Sequence, residues 1–299
     1  MDIIKVTPRG YCRGVVRAIN MAKNAAHDYP KEAIYVLGML VHNRYVVDAL
    51  REIGIEPLDH KDKSKSELLD EIDHGVVIFT AHGIAPSIIE KARKKGLICI
   101  DAACPHVITT QKIVASYLDK GFDVLYIGKK DHPEAEAICS LSSHVHLIEF
   151  ETDIKTKLKN NIFVTNQTTM SIFDVKALFD KIKSIYPQAI FSEEICDATR
   201  IRQEAIAKLE NIDVLYVVGD AHSNNSNRLA QIAKEHGIEN VYLIDDVHGI
   251  TEQQLLHKQR VAVTSGASTP TYLTNQVIDY LQQYDRRKEK PNIQLFDIL

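Results

Sequence analysis

Short, almost unbroken apolar runs recur along this chain, each followed by a polar loop and then by a stretch with helical spacing. Val76-Val77-Ile78-Phe79 and Val214-Leu215-Tyr216-Val217-Val218 are the clearest. Runs that do not alternate with polar residues suit parallel strands covered on both faces, and interleaved helical segments point to an α/β protein. The pattern repeats three times. Strands are expected over residues 3–6, 97–100 and 189–195, each ending at or just before a cysteine. A second strand follows in each repeat (33–38, 123–128, 213–219), then a weaker third one such as 145–150 or 241–244. A fourth strand (76–80, 162–165, 261–264) precedes a helix expected over 86–95, 171–185 and 270–284.

The repeats are drawn at residues 1–96, 97–188 and 189–284, with a tail at 285–299. The expected fold is three similar α/β domains with small, mainly parallel sheets, arranged as a trefoil around a pseudo-three-fold axis. Ligands in such proteins sit at the carboxyl ends of the strands, so the loops of all three repeats are expected to face one central cavity.

Cys12, Cys104 and Cys196 stand 92 residues apart at each step. One thiol per repeat at the end of equivalent strands would bring three soft ligands to the axis and leave a fourth coordination position open. Thiolates favour iron–sulfur or zinc over magnesium or calcium. No Cys-x-x-Cys pair of the structural zinc kind occurs, and ligands drawn singly from three repeats suit a [4Fe–4S] cluster, with zinc the alternative. Cys99, inside a strand, and Cys139, on a helix, are expected to pack as small hydrophobes.

The polar loops add chemistry of a second kind. Histidines follow the cysteines at 30, 28 and 26 residues, as His42, His132 and His222. His42, His82 and His132 each follow a strand, with Ser223, Asn225 and Ser268 in matching places. Imidazolium, hydroxyl and amide donors near helix starts make a site for a polyanion such as diphosphate. Glu134 is the acidic side chain this arrangement aims inward, and it serves either as a proton donor or as a helix-start carboxylate. Thr168 either holds that proton or caps the following helix. His106 and His144 are expected to be structural.

Composition narrows the classes. Hydrophobic residues make up 45% and charged residues 25% of the 299 residues, as in ordinary soluble proteins. A net charge of −4 without a basic stripe argues against a nucleic-acid surface. No apolar run reaches membrane-spanning length, and Met1-Asp2-Ile3-Ile4-Lys5 lacks signal-peptide character, so a cytoplasmic protein is expected. The charged run from Asp285 to Pro291 reads as a disordered or crossing tail.

These motifs, taken in order, resemble one family. Pro8-Arg9-Gly10-Tyr11-Cys12, Val41-His42-Asn43-Arg44, Ala81-His82-Gly83, Asp101-Ala102-Ala103-Cys104-Pro105, His132-Pro133-Glu134, Gln167-Thr168-Thr169, Cys196-Asp197-Ala198-Thr199, Ser223-Asn224-Asn225-Ser226-Asn227-Arg228 and Gly266-Ala267-Ser268 are similar to those of 4-hydroxy-3-methylbut-2-enyl diphosphate reductases, the last enzymes of the methylerythritol phosphate route to isoprenoids. The resemblance implies an oxygen-sensitive [4Fe–4S] cluster on Cys12, Cys104 and Cys196, with the substrate hydroxyl at the fourth iron. It implies diphosphate binding by His42, His82, His132, Ser223, Asn224, Asn225, Ser268 and Thr168, and proton delivery by Glu134 with Thr168. The products would be isopentenyl and dimethylallyl diphosphate, and the electron donor a ferredoxin, a flavodoxin or a similar small redox protein. Arg13, Ala103 and Asn224 depart from the familiar pattern, and Asn224 leaves open which of Ser223, Asn224 and Asn225 touches phosphate. Two rival readings share the cysteines: a metal sensor, which needs neither Glu134 nor anion loops, and an isomerase or hydratase, which needs no electrons.

Overall fold

The computed structural model describes all residues except 61, 159–160 and 286–288. The chain opens with β1 (Asp2–Lys5) and α1 (Arg13–Asp28), followed by β2 (Ile34–Leu37), α2 (Arg44–Glu52), β3 (Ile55–Leu58), α3 (Lys65–Asp70), β4 (Val76–Phe79), α4 (Pro86–Lys94) and β5 (Ile98–Asp101). Next come α5 (Pro105–Asp119), β6 (Asp123–Ile127), α6 (Pro133–Cys139), β7 (Val145–Ile148), β8 (Ile162–Asn166), α7 (Ile172–Ile185) and β9 (Ile190–Phe191). The last third holds α8 (Asp197–Ala207), β10 (Val214–Val218), α9 (Asn224–Glu235), β11 (Val241–Ile244), α10 (Glu252–Leu255), β12 (Arg260–Ser265) and α11 (Thr271–Gln282).

These strands form three four-stranded sheets of one design, ordered β3-β2-β4-β5, β7-β6-β8-β9 and β11-β10-β12-β1. Every pairing is parallel. The strands leading into Cys104 and Cys196 are therefore bonded into the sheet of the repeat before them in sequence. β5 lies beside β4, and β9 beside β8. β1 closes the last sheet, with Asp2 opposite Arg260 and Lys5 opposite Val263. Cutting the sequence at residue 97 or 189 thus separates a strand from the sheet that holds it.

The chain divides into two compact units. One comprises 1–16, 41–53 and 197–299 and contains the β1-bearing sheet; the other comprises 17–40 and 54–196 and contains the other two sheets. In the second unit, strand alternation explains why β6 is apolar from Val124 to Ile127. Leu125 and Ile127 join a core with Val164, Val175, Leu178 and Ile182 on one face. Val124 and Tyr126 pack with Val114, Ala135, Ile138 and Phe163 on the other. Each fully buried side chain of this size contributes about 1.5–3 kcal/mol. β10 is likewise buried along its whole length in the first unit.

Two local expectations change. The strand expected over 189–195 shortens to β9: beyond it the Ser192 hydroxyl donates to Glu194 at 2.6 Å, and the Glu194 N–H donates to the Asn166 side chain at 3.1 Å instead of to a strand carbonyl. The tail packs rather than trails within the first unit. Lys290 donates to the carbonyls of His248 and Ile250, the Tyr11 hydroxyl donates to the Ile298 carbonyl at 2.9 Å, and Ile298 is buried. Arg286, Arg287 and Lys288 of the charged run lie outside the described residues.

Candidate functional site

The three cysteines are held in one and the same way. Each sits at a helix start, and each backbone N–H donates to a carbonyl in the loop after the fourth strand of a sequence repeat (β12, β4 and β8). In the first unit Cys12 bonds Ala267 at 2.9 Å; in the second, Cys104 bonds Ala81 at 2.9 Å and Cys196 bonds Thr168 at 3.2 Å. None of the three forms a disulfide, and each is partly exposed. Cys99 lies in the edge strand β5 and Cys139 ends α6, and burial raises both thiols above their ordinary value. Among the described residues no three His, Cys, Asp or Glu side chains gather as they would around a single metal ion.

In the second unit the acid, its holder and two histidines form a connected set. Pro133 starts α6, which places Glu134 in the first turn, and His132 is the N-cap. His132 Nδ1 accepts the Glu134 N–H at 3.2 Å, which leaves the proton of the neutral ring on Nε2. The His82 ring meets His132 edge-on, with centroids 5.6 Å apart. Glu134 is only 1% exposed. Its Oε1 accepts the Thr168 N–H at 2.8 Å, and its Oε2 accepts the Thr168 hydroxyl at 2.8 Å. The Tyr126 hydroxyl also donates to Oε1, at 3.3 Å.

Burial disfavours the ionised carboxylate and pushes the Glu134 pKa up to about 7, against the pull of the Thr168 and Tyr126 donors. A carboxyl that titrates near neutrality can hold a proton and release it under ordinary conditions. Tyr126 escaped sequence reasoning, since it looked like one more apolar strand residue. Its signal was the single hydroxyl within Val124-Leu125-Tyr126-Ile127.

The first unit presents the remaining donors. Asn43 is the buried N-cap of α2 and accepts the N–H groups of Tyr45 and Val46, fixing the loop that carries His42. The Ser268 hydroxyl donates to the His42 carbonyl at 3.1 Å, so two of the expected anion ligands are joined. Ser223 caps α9 by accepting the Ser226 N–H, and Asn224 and Asn225 begin the helix. Both amide atoms of Asn225 are buried with no hydrogen-bond partner in the protein. Such atoms are costly unless a ligand or water satisfies them. Gly219 and Gly266 let these loops close on α9, since a Cβ on either would fall 2.3 or 2.1 Å from Ser226 Oγ.

Four further histidines make other contacts. His222 is exposed and bonds Asp220 at 2.9 Å, and Asp220 also accepts the Arg44 N–H at 2.9 Å. His144 and His146 bond the buried Asp123 at 2.8 and 3.3 Å, at the opposite end of β6 from Glu134. The carbonyl of His106 accepts the Thr110 hydroxyl at 3.0 Å within α5.

Fold and site together define an α/β protein of three like parallel sheets, with a buried, protonatable carboxyl and donor-rich loops at the strand ends. A family model described as "LytB protein" matches residues 3–282, and the chain belongs to that family. The chain is 48% identical over 290 residues, covering 95% of itself and 91% of the relative, to a 4-hydroxy-3-methylbut-2-enyl diphosphate reductase of Anoxybacillus flavithermus. Its fold matches the solved E-1-hydroxy-2-methyl-but-2-enyl-4-diphosphate reductase of Plasmodium falciparum with a TM-score of 0.88 and 29% identity, over 98% of this chain and 95% of that one. A second solved structure, of (E)-4-hydroxy-3-methyl-but-2-enyl diphosphate reductase, described as the terminal enzyme of the non-mevalonate pathway, matches with a TM-score of 0.67 and 30% identity, over 95% and 100% of the two chains. Among the described residues no helix is long and apolar enough to cross a membrane.

Proposed function

We propose that this chain is an oxidoreductase that removes the hydroxyl of 4-hydroxy-3-methylbut-2-enyl diphosphate, giving isopentenyl and dimethylallyl diphosphate in the last step of the methylerythritol phosphate pathway. One substrate, two electrons and two protons yield one product diphosphate and water, which balances. The observation that carries the reading is Glu134, a buried acid poised near neutrality and gripped by Thr168, within a family whose relatives bear that reductase name.

The donor chemistry of Cys12, Cys104 and Cys196 fits a [4Fe–4S] cluster: three thiols outside any disulfide, in equivalent helix-start settings, none of them in a Cys-x-x-Cys pair. Such a cluster supplies electrons and an open iron for the substrate oxygen. The chain's own residues do the rest. His42, His82, His132, Ser223, Asn224, Asn225 and Ser268 hold the diphosphate by charge-assisted and neutral hydrogen bonds. The unpartnered Asn225 amide supports a polar ligand at its helix start. Glu134 gives its proton to the departing hydroxyl, which leaves as water, and Thr168 keeps the carboxyl aimed while it does so.

A ferredoxin, a flavodoxin or a similar small redox protein supplies the electrons. The free cysteines suit the reducing cytoplasm, where we place the reaction. Anaerobic protein given a chemical reductant should convert the substrate into both isomeric products, and without reductant into neither. Turnover without an electron supply would establish the isomerase or hydratase reading instead.

A further inference from the structure

One polar contact on Glu134 comes from outside the motif residues. β6 sends Tyr126 into the apolar cluster beneath α6, among Val114, Ala135, Ile138 and Phe163. The side chain is fully buried, and its hydroxyl reaches Glu134 Oε1 at 3.3 Å. The ring fits because residue 128 is glycine: a Cβ there would lie 2.9 Å from the Tyr126 ring edge. Leucine or phenylalanine would fill this apolar space without bringing a hydroxyl that must find an acceptor.

Oε1 thus receives two donors, the Thr168 N–H and the Tyr126 O–H. A backbone N–H cannot reverse its direction, so the acid proton belongs on Oε2, where the Thr168 hydroxyl can turn to accept it. We propose that Tyr126 is a positioning residue for Glu134: as a second donor on Oε1 it supports the Thr168 N–H in keeping the transferable proton on Oε2, and it stabilises the carboxylate left once that proton departs. This rests on the reading of Glu134 as the proton source. Burial alone would make the carboxyl retain its proton, and each donor to the ionised form works the other way.

The test is the titration of Glu134 in the anaerobically purified full chain, followed by infrared difference spectroscopy of the protonated carboxyl band. Glu134→Gln identifies the band by removing it. Tyr126→Phe keeps the ring and should move the titration upward by about one pH unit, the scale of one lost hydrogen bond to a carboxylate. The basic limb of turnover should move with it, at unchanged KM. Replacement of Tyr126 by 3-fluorotyrosine, a stronger donor of nearly the same shape, should move both downward and serves equally if the phenylalanine variant folds poorly. A titration at the same pH in all forms, or a uniform rate loss with an unmoved limb, overturns the proposal. A titration that moves in a protein that turns over no diphosphate would keep the Tyr126 assignment and remove the reductase reading.

Discussion

Glu134→Gln tests the mechanism where the geometry is most definite. The carboxyl is 1% exposed and takes its hydrogen bonds from Thr168 and Tyr126. An amide of the same shape keeps one oxygen to accept the Thr168 N–H and the Tyr126 O–H, while its NH2 faces a Thr168 hydroxyl that can turn to accept. The variant should therefore fold, hold the proposed cluster and bind substrate. It loses a proton that burial makes available. At an ordinary value of 4.5 about one carboxyl in 300 is protonated at pH 7, whereas at about 7 roughly half are. A positioned general acid contributes about 10²–10⁴ in rate, so single turnover by the reduced protein should slow at least a hundredfold. Turnover within a few-fold of wild type, at equal iron and sulfide content, would refute the role.

The same burial predicts stability with a definite sign. The folded pKa of Glu134 lies above its unfolded value, so the folded state keeps a proton that the unfolded chain releases. Stability from this group is complete below about pH 4.5 and is lost as pH rises through about 7. The full difference is about 3 kcal/mol. Glutamine carries no such dependence, so the melting temperature of Glu134→Gln should exceed that of wild type at pH 8 and converge with it toward pH 5. A gap that stays constant across that range would show that Glu134 titrates normally.

Three further perturbations address other parts of the molecule. Serine at Cys12, Cys104 or Cys196 should abolish cluster retention, measured as anaerobic iron and sulfide, while Cys99→Ser and Cys139→Ser retain it; a loaded, active Cys104→Ser protein would sink the ligand set. Phenylalanine at His42 or His132 removes a charge-assisted hydrogen bond worth about 1.5–3 kcal/mol. Calorimetric affinity for inorganic diphosphate should then fall about tenfold or more, and unchanged affinity in both variants would place the phosphates elsewhere. Burial works to raise the Asp123 pKa, but hydrogen bonds from His144 and His146 outweigh it and hold the carboxyl below its ordinary range. A depressed carboxyl contributes stability that is lost as pH falls through its folded value. Asp123→Asn should therefore cost about 1–3 kcal/mol at pH 7 and progressively less toward pH 3, and an equal cost at both would contradict the pairing.

The strands and loop motifs were legible in the sequence because central parallel strands must be apolar on both faces, and β4, β6, β8 and β10 are buried along their whole length. Pairing was harder to read. β1 and β5 are edge strands with exposed ends, and nothing in their composition names a neighbour. A rule of connection was available: a strand, a helix and a following parallel strand usually lie side by side, which assigns β5 to β4 and β9 to β8. For β1 no such link exists, because its neighbour β12 lies at the far end of the chain, and repetition alone closes that sheet. Tyr126 stayed hidden for a related reason. Its ring obeys the apolar pattern of the strand, and only its hydroxyl, met by an acid eight residues on, departs from it.

Thr168 shows why strand exchange matters to the chemistry. Its N–H and hydroxyl hold the two oxygens of Glu134, while its carbonyl holds the N–H of Cys196. Both contacts lie within the second unit, and both depend on the loop after β8. β9, which leads into Cys196, lies beside β8 as the edge of the same sheet, so the cysteine emerges next to the loop that positions the acid. Had β9 belonged to the sheet of the following repeat, no single peptide could have fixed both. In a reductive dehydroxylation the proton must meet the leaving oxygen as electrons arrive, and a displacement of about 1 Å can cost 10²-fold in rate. One residue bonded to both the proposed proton source and a proposed cluster ligand ties their positions together. The same backbone bond recurs at Cys104 with Ala81 and at Cys12 with Ala267, where the neighbouring loops carry His82 and Ser268 instead of an acid's holder. Three-fold repetition thus supplies three equivalent cysteine mounts, and the loop beside each has diverged: in the proposed mechanism one serves proton transfer and the other two anion binding.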